Sequence, residues 1–173
     1  MSEKVLNNFF ENTKVEALVS AKTNLDVKSL KSTQTVEDAV NYLSKEKILS
    51  APVVDAKSSQ VVGMIDFLDI VKFVISVSPD ASQISENELN SLEIAGRAMA
   101  FKELSEVVNF SGKDPYVAIY ADNKSSVLVD LFSKGIHRTA IVDNSDNLIS
   151  VVSQSNIAQL LAENISRGDN KIA

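Results

Sequence analysis

The chain of 173 residues has no cysteine, one histidine and five glycines. Without cysteine there is neither a disulfide framework nor a thiolate metal site. A single imidazole, His137, excludes a His-rich metal cluster and any pair of catalytic imidazoles. No P-loop and no Gly-rich dinucleotide fingerprint is present. No apolar run approaches the ~20 residues a membrane span requires. The opening MSEKVLNNFFENTKVEALV mixes charges into its apolar residues and does not read as a signal peptide. The expected location is the cytosol or nucleus. Net charge is −6, and the 17 Lys and Arg are scattered rather than striped. Nucleic-acid binding needs a basic face that recruits phosphates, and none is legible. A small anionic ligand needs only a few local cations, so the acidic balance leaves that class open. With 45% apolar residues, the chain can bury one ordinary core or two small ones.

What the sequence does contain is a duplication. TVEDAVNYLSKEKILSAPVVD from Thr35 is echoed by SSVLVDLFSKGIHRTAIVD from Ser125. Counted back from Asp55 and Asp143, Val40, Leu43, Ile48, Val53 and Val54 meet Leu128, Leu131, Ile136, Ile141 and Val142. Each copy continues into a related pair, GMIDFLDIVKFV from Gly63 and SVVSQSNIAQLL from Ser150. A repeat of this size, present twice, implies two similar units packed about a pseudo-twofold axis.

Periodicity then assigns elements. Val5, Phe9, Val15, Leu18 and Val19 predict an amphipathic helix within residues 1–21, lying across the repeats. Repeat one, residues 22–76, reads as strand (LDVKSL), capped helix after Ser32–Thr35, hairpin (APVVD, VVGMID) and helix (FLDIVKFVIS). The inter-repeat stretch 77–113 holds the polar SPDASQISENEL and a helix from Ile94, broken at Gly112 and Pro115. Repeat two, 114–166, gives the same order, with DNSDN as its hairpin connector, and 167–173 is a polar tail. The fold class is α/β, built of two β-α-β-β-α units.

This twofold pattern, with PVVD in one copy and AIVD in the other, resembles the CBS domain, and two in tandem resemble a Bateman module. GIHRTAIVD and NFSGKDPYVAIY are similar to segments of the adenine-nucleotide-sensing γ subunit of AMP-activated protein kinase and its plant and fungal relatives. The resemblance implies that His137 and Arg138 contact nucleotide phosphates. The chemistry suits them, since the guanidinium fork matches phosphate oxygens and the imidazole adds a donor. It implies ribose binding at Ser153 and Asn156 in repeat two and at Asp69 in repeat one. Asn156 stands where the family usually has Asp, and an amide lacks the carboxylate's bidentate grip; the pair also reads as an ordinary helix cap. In repeat one Asp66 replaces the hydroxyl residue, and Leu49 and Ser50 replace the His-Arg pair. Adenine contacts are implied at Thr33, Pro52 and Val53 in copy one and Val117, Ile119 and Ile141 in copy two, all of which also suit core packing. Arg97 and Lys113 are further sources of positive charge.

The two copies are half-equipped, which predicts one competent site where they meet. The expected function is regulation by AMP, ADP or ATP, with no obligatory cofactor and no metal. The resemblance further implies self-association into a homodimer, or a kinase or other enzyme as partner. Two alternatives stand beside it: a ligand-free dimerisation scaffold, and a sensor of S-adenosylmethionine. No nucleophile–base pair is oriented around His137, and Asp66 and Asp69 share one helical turn, so catalysis is not expected.

Overall fold

The computed structural model describes residues 3–20, 27–77, 96–113 and 115–166. They form two compact units, one of residues 28–115 and one discontinuous, of 1–27 with 116–173.

In the first unit, Thr35 starts the helix that sequence periodicity demands. Its hydroxyl accepts from the Asp38 amide and the Asp38 carboxylate accepts from the Thr35 amide, a reciprocal capping box. Helix α3 (Val36–Glu46) follows β1 (Leu30–Lys31) and ends at left-handed Lys47. It buries Val36, Ala39 and Leu43 against the sheet. Strands β2 (Ser50–Val54) and β3 (Val61–Asp66) pair antiparallel, and β1 joins β2 in parallel, giving the order β1-β2-β3. Asp55 accepts from the Lys57 and Ser58 amides and folds the hairpin turn. Helix α4 (Phe67–Val77) closes the repeat.

The second unit repeats this with a different sequence. Strand β4 (Ile119–Tyr120) precedes α5 (Ser126–Ser133), β5 (Arg138–Val142), β6 (Leu148–Ser153) and α6 (Gln154–Ser166), with sheet order β4-β5-β6. The two hairpins share their register. Ser50 pairs with Asp66 as Arg138 pairs with Ser153, and both ladders shift at the same step, Val53/Val54 and Ile141/Val142.

Three sequence expectations are corrected. The segment from Val5 to Val19 is two helices, α1 (Glu3–Asn12) and α2 (Glu16–Ser20), because Lys14 between them bridges to Lys124. The helix expected from Ile94 is helical only over 96–100 within the described residues. Glu103 then bridges to Thr35, and a short 3-10 turn (Leu104–Glu106) follows. The first strand of each repeat pairs over two residues only. The signals in SPDASQISENEL and the polar tail lie outside the described residues.

The first two corrections have one physical cause: each pre-repeat segment completes the other repeat. Val15 and Leu18 are buried with Leu128, Ile141 and Val152 of repeat two. The Val15 amide donates to the Asn123 carbonyl at 2.9 Å and the Glu16 amide to the Ala121 carbonyl at 2.8 Å. Leu104 and Val107 are buried with Leu30, Leu43 and Ile65 of repeat one, and the Leu104 amide donates to the Gln34 carbonyl at 2.9 Å. Phe9 and Phe10 pack edge to face, 5.3 Å apart, over Ile157, Leu160 and Leu161. No helix of the described residues is long and apolar enough to cross a membrane.

Candidate functional site

The chemistry-bearing residues gather where the last strand of each hairpin passes into a helix. There the side chains of strand ends meet the free amides of a helix N-terminus, a place that favours acceptors and negative charge.

In repeat two, Arg138 opens β5 opposite Ser153, the last residue of β6. Arg138 is half-buried and His137 exposed. The His137 carbonyl accepts from the Gln154 amide at 3.2 Å, which ties the strand entry to the start of α6. Ion pairs of the described residues join Lys28 to Glu46, Lys102 to Glu106, Lys124 to Glu11 and Lys134 to Asp130. None of them engages Arg138. Ser153 and Asn156 do meet: the Ser153 amide and hydroxyl both donate to Asn156 Oδ1, at 2.9 and 3.0 Å. That carbonyl oxygen thus already serves two donors.

Repeat one holds a carboxylate pair at the matching place. The Asp69 amide donates to Asp66 Oδ1 at 2.8 Å and the Asp66 amide to Asp69 Oδ2 at 3.0 Å. The second Asp69 oxygen, Oδ1, accepts from the Ser111 amide at 2.7 Å. Asp69 is only 4% exposed. Burial pushes its carboxyl above the usual range, and Asp66 adds to this, against the lowering pull of the Ser111 and Asp66 hydrogen bonds. Ser50 stands at the place of Arg138, and its buried hydroxyl has no hydrogen-bond partner. Leu49, in place of His137, is 66% exposed.

Of the six residues considered for the adenine pocket, Val53, Ile119 and Ile141 place their side chains in the two cores. Pro52 is buried within β2, while Thr33 and Val117 are exposed. Ile119 and Ile141 are ladder partners, and the Val117 carbonyl accepts from the Thr139 hydroxyl at 3.0 Å. Arg97 and Lys113 are both exposed, in the segment attached to repeat one.

The sequence reading missed the neighbours of Asp69 drawn from the inter-repeat segment. Lys72 Nζ donates to the Ser111 carbonyl at 2.9 Å, and Phe110 meets Phe73 edge-on at 5.5 Å. Asn109, left-handed at φ 57°, exchanges two 3.3 Å hydrogen bonds with Met64, through its own amide and its side-chain oxygen. One signal was present: Gly63 interrupts a β-branched strand, and strand glycines mark close backbone approach. A Cβ at Gly63 would lie 2.6 Å from both Val108 and Asn109.

Comparison with known proteins supports the architecture. The CBS domain family model matches residues 19–76. Protein SDS23 of Yarrowia lipolytica is 25% identical over 134 residues, covering 75% of this chain and 26% of that protein. The chain thus spans about a quarter of the length of that curated relative. Protein MJ1225 of Methanocaldococcus jannaschii, a proposed archaeal homologue of the AMPK γ subunit, is 20% identical with a TM-score of 0.66. That likeness covers 87% of this chain and 50% of MJ1225. CBSX2, solved in complex with AMP, is 18% identical with a TM-score of 0.61, covering 88% of this chain and 98% of its own. Residues 19–76 thus match the CBS domain model, and the chain has a fold like that of these CBS proteins.

Proposed function

We propose that this chain is a regulatory module that senses an adenine nucleotide and controls a partner protein, rather than an enzyme. The observation that carries this reading is Arg138: half-buried at a strand entry, beside Ser153 and a helix N-terminus, and engaged by none of the ion pairs of the described residues. A guanidinium so placed offers its donor fork to an anion, and a phosphate supplies oxygens in matching geometry. His137 next to it adds a second donor. Ser153 and Asn156 stand one strand away, where their hydroxyl and amide suit a ribose. Asp69 is the corresponding ribose group of repeat one. The AMP bound to CBSX2, a structure of the same fold, supports the ligand class. Signalling follows from differential affinity: the nucleotide shifts the chain between packings only by as much as it binds one better than the other. The reading takes one competent site per chain, located in the cytosol or nucleus, with a homodimer or an enzyme as recipient.

One observation favours the second reading, a ligand-free scaffold. Asp69 and the Asn156 oxygen are already occupied by donors of this chain. Calorimetric titration of the full chain with AMP, ATP and S-adenosylmethionine separates these. Binding of AMP or ATP below millimolar concentration is expected. Binding of none of the three leaves the scaffold, and binding of S-adenosylmethionine alone identifies a different sensor.

A further inference from the structure

We infer that residues 109–112 are a built-in occupant of repeat one's strand-to-helix pocket, holding it closed until a ligand displaces them. The inference rests on the proposed nucleotide reading and adds a regulatory contact to it.

The Asp69 carboxylate has two oxygens, and one is spent on the local cap to Asp66. The other is the group a ribose hydroxyl would approach, and the Ser111 amide takes it at 2.7 Å. The segment thus supplies a donor of the same kind from within the chain. Its placement is over-determined. Asn109 and Gly112, both at positive φ (57° and 64°), turn the backbone on either side of Ser111. The Asn109 side chain and amide bond to Met64, Lys72 holds the Ser111 carbonyl, and Phe110 leans on Phe73. Bare Gly63 makes room for Val108 and Asn109.

The grip is also releasable. Leu104 and Val107 anchor the segment in the core, whereas Phe110 is 42% exposed and Gly112 and Lys113 lie at the surface. Val108 also packs against that core, so the residues beyond it, 109–112, can lift without unpacking the repeat. Closure lowers apparent affinity by the fraction of time the pocket is open. A segment docked nine-tenths of the time weakens binding about tenfold.

The test is an AMP titration by calorimetry on the full chain, its Lys72→Met and Phe110→Ala variants, and the double variant. Hydrogen exchange of peptides covering 107–113 is measured with and without AMP. The expected result is tighter binding in each single variant and about tenfold in the double, with faster exchange of 107–113 when AMP binds the wild-type chain. AMP binding that is equal or weaker in the folded variants overturns the inference while leaving the nucleotide reading intact. If neither the wild-type chain nor any variant binds AMP at millimolar concentration, both fall. Should the double variant fail to fold, Lys72→Met, which keeps the apolar stem, decides alone.

Discussion

Replacing Leu104 by alanine tests the exchange of pre-repeat segments. Leu104 lies 74 positions after Leu30 yet is fully buried beside it, among Val36, Leu43, Val53, Ile65, Ile70 and Phe73. Leu→Ala removes three carbons, worth about 2.4 kcal/mol at ~0.8 kcal/mol each. The backbone here is pinned by the Leu104–Gln34, Ser105–Ser32 and Val36–Lys102 hydrogen bonds, so the site collapses poorly. A residual cavity adds roughly 1 kcal/mol, for a total near 3–4 kcal/mol. That is a large share of the roughly 5–15 kcal/mol that holds a domain folded. In urea, with a slope of about 2 kcal/mol per molar, the midpoint should fall by more than ~1 M. Phe101→Ala is the matched control: three residues earlier, 67% exposed, and expected to cost under ~0.5 kcal/mol. Far-UV dichroism melts of both variants decide the matter. A Leu104→Ala cost below about 1 kcal/mol, or equal to that of Phe101→Ala, refutes the reasoning.

Two other perturbations bear on the Asp69 pocket. Gly63→Ala places a methyl 2.6 Å from Val108 and Asn109, and it should cost about 1–3 kcal/mol and speed hydrogen exchange over 107–113; an unchanged melt and exchange pattern contradicts the close approach. The Asp69 carboxyl titrates above its ordinary value when folded, so the folded state binds more protons than the unfolded state there. Its contribution is fully present below the unfolded pKa and is lost as pH rises through the folded one. Against Asp69→Asn, the wild-type chain should therefore lose relative stability from about pH 4 upward, read from urea midpoints at several pH values. A gap independent of pH refutes the shift.

The duplication, the α/β class and the β-α-β-β-α order were legible because they rest on local signals. The Thr35 capping box, the alternating hairpins and the Asp55 and Asp143 turns are written within a few residues of each other. The equivalence of Ser50 with Arg138 was also legible, and the ladder register bears it out. Where Val15, Leu18, Leu104 and Val107 are buried was not. Periodicity tells that a face is apolar, not which of two similar cores it fills. The engagement of Asp69 was hidden for a related reason. Its second oxygen is satisfied by a backbone amide 42 positions away, and a backbone donor leaves no side-chain signature in sequence. Only Gly63 hinted at that approach. Val53, Ile119 and Ile141 show the limit of pattern reading at a site, since β-branched residues suit a core strand and a ligand wall equally well.

The most direct test of the account compares AMP with adenosine on the wild-type chain and on Arg138→Ala. The two ligands differ only in the phosphate, so their affinity ratio isolates the contacts assigned to His137 and Arg138. A charge-assisted pair worth about 1.5–3 kcal/mol predicts that the wild-type chain prefers AMP by roughly tenfold or more. The preference should fall by about that factor in Arg138→Ala while adenosine binding stays the same. A preference that the substitution leaves unchanged, or none in the wild-type chain, contradicts the claim that this module reads a nucleotide through Arg138.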